Sequence, residues 1–135
     1  MTDEAFLRAL ESCTLPESEF GHVGHVRAAY LYLQQADFAG ALARICSAIR
    51  NYATHHGKPG RYHETVTVAY LALIQQHIHE RGNGGGWMEF SRGNPELLNP
   101  ALLGQFYSQP QLESDLARKI FLLPRLTPAR SAGCV

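Results

Sequence analysis

The stretch His22-Val23-Gly24-His25-Val26-Arg27-Ala28-Ala29-Tyr30-Leu31-Tyr32-Leu33-Gln34 decides the fold. Val23, Val26, Tyr30 and Leu33 recur at three- and four-residue steps, the period of a helix and not of a strand. With His22 at zero, Val26 falls at about 40°, Leu33 at about 20°, Ala29 at about 340° and His25 at about 300° around the helix axis. Both histidines therefore lie on or beside the apolar face, while Arg27, at about 140°, points away from it.

Similar patterns flank this helix. Thr2 or Asp3 caps a short helix to Ser12 that carries Phe6, Leu7 and Leu10, and Leu15-Pro16 ends it. Asp37 caps a third helix, Phe38 to His55, with the stripe Leu42, Ile45, Cys46, Ile49 and Ala53. Gly57-Lys58-Pro59-Gly60 breaks the chain. A fourth helix runs from Tyr62 to Arg81, with Val66, Tyr70, Leu73, Ile74 and Ile78 on one side, and Gly82 to Gly86 stops it. Beyond it, Trp87 to Ser91 allows one helical turn, and Asn94-Pro95 and Asn99-Pro100 each read as a cap with proline at the first helical position. Ser108 to Leu122 reads as a last helix with Leu112, Leu116, Ile120 and Phe121 apolar. No alternating strand is evident. The expected fold is all-α: one helical bundle domain of five or six helices over residues 1–124 with an irregular C-terminal third, then an extended or disordered tail over 125–135.

The composition narrows the function. Of 135 residues, 45% are apolar and 18% charged, which suits a packed domain and not a disordered chain. Twelve Lys+Arg balance twelve Asp+Glu, so nucleic acid and anionic membrane surfaces are not expected partners. No apolar run has the length of a membrane span, and Met1-Thr2-Asp3-Glu4 is acidic where a secretory signal is basic. Cys13, Cys46 and Cys134 lack metal-ligand spacing and read as free thiols, so the expected compartment is the cytoplasm. A homo-oligomer is compatible with this composition.

Seven histidines are the unusual feature. With His63 at zero on the fourth helix, Tyr70 falls at about 340°, Ile74 at about 20° and Thr67 at about 40°, so His63 faces inward. Short loops make successive helices antiparallel and the second and fourth parallel. His22, His25 and His63, all in first turns, then meet at one end of the bundle. His56, at the end of the third helix, can join them. Three such imidazoles, or two with Glu64, suit a divalent transition metal (Zn, Fe or Cu) with open coordination positions. Glu64, Tyr62 and Thr67, with Tyr30, are then the candidates for proton transfer or for supporting the ligands. An enzyme built on this site would be a metal-dependent oxidoreductase or hydrolase acting on a small molecule.

Two rival readings come from the same residues. Helix N-termini carry partial positive charge, which opposes a bare cation and suits an anionic small molecule held without metal. Alternatively the histidines are structural, and the chain is a helical interaction module with an exposed apolar stripe of Trp87, Phe90, Leu97 and Leu98. The remaining candidates have ordinary explanations. His55 and His56 complement a helix C-terminus, His77 lies about four turns from His63, and His79 faces solvent. Gly57 to Arg61 lacks the length of a phosphate-binding loop and reads as a turn.

Phe20-Gly21-His22-Val23-Gly24-His25-Val26-Arg27 and Gly60-Arg61-Tyr62-His63-Glu64-Thr65-Val66-Thr67, followed by Phe106-Tyr107-Ser108 and Ala117-Arg118, resemble segments of an uncharacterised bacterial family of small all-helical proteins. The resemblance spans Phe20 to Pro124 and rests on the H-x-x-H-V-R and Y-H-E-T motifs. It implies a shared helical fold and brings no activity with it.

Overall fold

The computed structural model describes residues 1–125, and the fold is all-α within one domain, with no strand among the described residues. Among the described residues, seven α-helices follow in order: α1 Asp3–Glu11, α2 His22–Gln35, α3 Phe38–His55, α4 Glu64–Arg81, α5 Trp87–Gly93, α6 Gln109–Leu112 and α7 Asp115–Lys119. Short 3-10 turns occupy Glu17–Glu19, Pro59–Arg61, Pro95–Leu98 and Leu102–Gln105. No helix among the described residues is long and apolar enough to cross a membrane. The expected tail and Cys134 fall almost entirely outside the described residues, while Cys13 and Cys46 are free thiols.

Local chemistry sets the helix starts. Thr2 Oγ1 accepts the Ala5 N–H at 3.1 Å at the start of α1, and Asp37 Oδ1 accepts the Gly40 N–H at 2.9 Å at the start of α3. Each such cap satisfies one of the donors that a first helical turn leaves unpaired, a contribution of about 1 kcal/mol. Gly82, at φ 88°, ends α4 in a conformation that favours glycine.

Helices α2, α3 and α4 form the centre. Near the start of α2, the His22 ring packs on Tyr70 of α4, with centroids 4.8 Å apart. Near its end, Tyr30 donates to the Asn83 carbonyl just beyond α4, at 2.8 Å. The two helices therefore run parallel. The last turns of α3 lie beside the start of α2, because Phe20 packs edge-on to Tyr52 at 4.8 Å. This antiparallel step brings the N-terminal ends of α2 and α4 and the C-terminal end of α3 together.

The core they enclose includes Leu10, Leu15, Val26, Tyr30, Tyr32, Leu71 and Ile74, all fully buried. Burying each large apolar side chain contributes about 1.5–3 kcal/mol.

The C-terminal third departs from the sequence reading. The expected helix Ser108 to Leu122 is two short ones. Ser108 caps α6, and Ser114 caps α7 by accepting the Ala117 N–H at 3.1 Å. A hydroxyl offering its own cap lets the backbone leave the helix there. The chain after α7 is extended and pinned by three side chains. Thr65 and Tyr107 donate to the carbonyls of Ile120 and Leu122 at 2.8 and 2.7 Å, and Gln111 donates to Leu123 at 3.0 Å. Leu116, Ile120 and Phe121, the apolar residues of that expected helix, are exposed.

Asn94 does not cap the following turn. It is buried, with Nδ2 donating to the Phe90 carbonyl and Oδ1 facing His77 at 2.8 Å and Arg81 at 3.0 Å. The Asn99-Pro100 turn begins its helical residues only at Leu102. The apolar stripe proposed for partner binding is core: Trp87, Phe90 and Leu97 are buried and Leu98 packs against them.

Candidate functional site

Two adjoining cavities lie where the three central helices meet. The outer one, about 260 Å³, is bounded by Phe20, Gly21 and His25 from the start of α2, by Ile49, Tyr52, Ala53 and His56 from the end of α3, and by Glu17, Lys58, Arg61 and Tyr62. The inner one, about 40 Å³, is lined by His22, His25, Val26, Ala29, Ile45, Ile49, Val66, Thr67 and Tyr70. His25 and Ile49 belong to both walls, so they form the partition between the two spaces.

A continuous aromatic wall shapes the outer cavity. Phe20 stacks on His25 with centroids 4.2 Å apart, Tyr52 meets the edge of Phe20 at 4.8 Å, and His56 packs on Tyr52 at 4.3 Å. Tyr52 is fixed by a 2.6 Å hydrogen bond from its hydroxyl to the Leu15 carbonyl. Gly24 lets the Glu17–Glu19 turn approach α2 closely, since a Cβ at position 24 would stand 2.9 Å from the Glu19 carbonyl oxygen and 3.2 Å from Phe20 Cδ1. The turn and the Phe20 ring thus sit where only a glycine admits them.

The polar groups gather at the rim. Glu17 receives Lys58 Nζ on Oε2 at 2.8 Å and faces His56 Nδ1 with Oε1 at 3.4 Å. The Lys58 hydrogen bond holds the Glu17 carboxyl below its usual range, and the positive charge of Arg61 acts in the same direction. His56 Nε2 is buried with no hydrogen-bond partner among the described residues. His25 is a neutral imidazole: burial, and secondarily the neighbouring His22, push its pKa down to about 4.

The predicted site residues divide. His22 and His25 flank the inner cavity and His25 and His56 the outer one, so three of the four predicted ligands do collect at this end of the bundle. His63 does not join them. It stands outside the helical conformation, at φ −133° and ψ 107°, as the cap of α4, so the angles of a helical wheel do not apply to it. Its Nδ1 accepts the Val66 N–H at 3.1 Å and its Nε2 lies 2.7 Å from the Leu112 carbonyl. A carbonyl only accepts, so Nε2 carries the proton and both ring nitrogens are engaged. His22 likewise donates from Nε2 to the Leu97 carbonyl at 2.9 Å, which leaves its Nδ1 as the lone-pair nitrogen.

Among the described residues, no group of three or more His, Cys, Asp or Glu side chains is placed to hold a metal ion.

Of the predicted proton-transfer residues, Tyr62 lines the outer cavity and Thr67 the inner one. The Thr67 hydroxyl donates to the His63 carbonyl at 2.8 Å. Glu64 accepts from Tyr62 at 2.5 Å and from Arg50 at 3.2 Å, and lines neither cavity. Burial, with the Cys46 and Glu64 contacts, pushes the Tyr62 hydroxyl pKa upward, so the tyrosine stays protonated. Tyr30 bonds Asn83 at the far end of the bundle and is no part of the site.

Sequence reading missed Glu17, Phe20, Lys58 and Arg61 as site residues. Lys58 and Arg61 flank a Pro-Gly breaker two and five positions after His56, and that local basic pair was the available signal. Comparisons of the chain with protein-family models, curated proteins and solved structures find no match.

Proposed function

We propose that the protein binds a small anionic molecule in the outer cavity, without a metal. The observation that carries this reading is the pairing of an apolar and aromatic interior with a basic rim, Lys58 and Arg61, beside a buried His56 nitrogen that lacks a partner. Ligand sites typically combine an apolar lining with a few convergent polar groups. At about 260 Å³ the cavity suits a compact molecule. Its apolar body would rest on Phe20, Ile49 and Tyr52, with its charge at the rim. The metal-dependent alternative draws less support. The two hydrogen bonds of His63 engage both its ring nitrogens, and among the described residues no three His, Cys, Asp or Glu side chains converge closely enough to supply the three or four protein ligands that are usual.

The test is a titration followed by amide NMR and by melting temperature, using benzoate and hexanoate and their neutral counterparts benzyl alcohol and hexanol. Binding stabilises the folded state by mass action. The expected result is saturable shifts around Phe20, His25 and Tyr52 for the acids alone, abolished by Ala53→Trp, which fills the cavity. Equal response to acids and alcohols, or shifts that persist in Ala53→Trp, would overturn the reading.

A further inference from the structure

The Glu17 carboxylate already occupies the basic rim, and its manner of doing so specifies a ligand class. One oxygen meets Lys58 Nζ at 2.8 Å and the other faces His56 Nδ1 at 3.4 Å. Lys58 hydrogen-bonds one oxygen and the edge of the His56 ring flanks the other, an arrangement that fits a planar, two-oxygen anion, a carboxylate. Glu17 itself is half-exposed and sits on a three-residue turn, so its side chain can rotate out without disturbing the core. The turn is held independently, by the close fit of Glu19 and Phe20 on Gly24.

We infer that the ligand of this pocket is a small monocarboxylic acid with an apolar body, and that Glu17 is its intramolecular stand-in, displaced from Lys58 when the ligand enters. This rests on the anion-binding reading above and adds to it the chemical class and the residue that sets affinity. With Glu17 on Lys58, the rim retains the charge of Arg61 to attract an incoming anion. With the ligand seated, Lys58 and His56 pass to the ligand carboxylate and Glu17 turns to solvent. Entry thus exchanges one carboxylate for another, and only a molecule that also buries apolar surface gains by it. Acids without such a body, acetate for example, are excluded by the competition.

The experiment is a double-mutant cycle on benzoate affinity, read by NMR titration or calorimetry, with wild type, Glu17→Gln, Lys58→Ala and the double variant. Removing the internal competitor is expected to tighten benzoate binding about tenfold in Glu17→Gln, which corresponds to about 1.4 kcal/mol. In the Lys58→Ala background the same substitution is expected to give no gain, because there is no longer a cation to compete for. A gain that survives in the Lys58→Ala background would show Glu17 acting by repulsion at a distance and would overturn the stand-in role. Weaker binding in Glu17→Gln would show that Glu17 organises the clasp, and would overturn it too. If neither wild type nor Glu17→Gln binds benzoate or hexanoate, the anion-binding reading itself fails, an outcome distinct from a wild type that binds with no response to Glu17.

Discussion

His63 Nδ1 accepts the backbone N–H of Val66 at 3.1 Å, so an imidazole does at the start of α4 what the Asp37 carboxylate does at the start of α3. The ring also reaches across to Leu112 through Nε2 at 2.7 Å, tying α4 to α6. Removing it with His63→Ala should lower unfolding stability by about 1–3 kcal/mol, the sum of a lost cap and a lost hydrogen bond. His63→Asn should recover the cap and only part of the loss. Urea unfolding of the three proteins checks this, and an alanine variant as stable as wild type would refute it.

His25 makes the fold sensitive to acid. Its folded-state pKa is about 4, below the ordinary 6.5, because burial and the adjacent His22 oppose its charge. The unfolded chain therefore binds a proton that the folded chain refuses between these values, and this histidine's contribution falls as pH drops from 6.5 to 4 and is constant below. The loss approaches about 3 kcal/mol at the lower end. His22, His56, Glu17, Lys58 and Arg61 stand around the same cavities, so the diagnostic is the difference from His25→Phe. That variant should flatten the stability profile over this window, and NMR should show the His25 ring titrating near pH 4.

Thr65 is fully buried and serves two backbone groups, donating to the Ile120 carbonyl at 2.8 Å and accepting the Leu122 N–H at 3.1 Å. Thr65→Val keeps the volume and loses both bonds, at a cost of about 1–3 kcal/mol. Trypsin should then cut faster at Arg118 and Lys119, while Thr65→Ser should behave nearly as wild type. Unchanged cleavage in the valine variant would count against the clasp.

Gly24→Ala tests the seat of the Glu17–Glu19 turn. An added methyl meets backbone at 2.9 Å, which cannot yield as a flexible side chain would. Alanine is the better helix former by about 1 kcal/mol, yet the net effect should be a loss of about 1–3 kcal/mol, as for other overpacked contacts. Benzoate binding should weaken with it, because Phe20 moves. A stabilised variant with intact binding would contradict this placement.

How much of this the sequence carried can be traced residue by residue. Periodicity placed α2, α3 and most of α4, because long amphipathic stripes are set by burial. Thr2 and Asp37 marked helix starts because their side chains act within three residues of themselves. Distant partners left no such trace. Nothing local in Leu97 or Leu112 announces that its carbonyl will accept a hydrogen bond from a histidine 75 or 49 residues away. The same holds for Glu17, 41 residues from Lys58, and so the rim read as an ordinary turn. Ser114 was legible as a cap in principle, but the apolar residues on both sides of it suggested one continuous helix.

The clasp on Thr65 has a consequence for synthesis. Its partner Leu122 is 57 residues further along the chain. At a translation rate of about 5–20 residues per second, roughly 3–11 s separate the two. The beginning of α4 therefore emerges from the ribosome well before the segment that completes it, and the nascent protein must wait for Ile120 and Leu122 before that buried hydroxyl finds its two native partners.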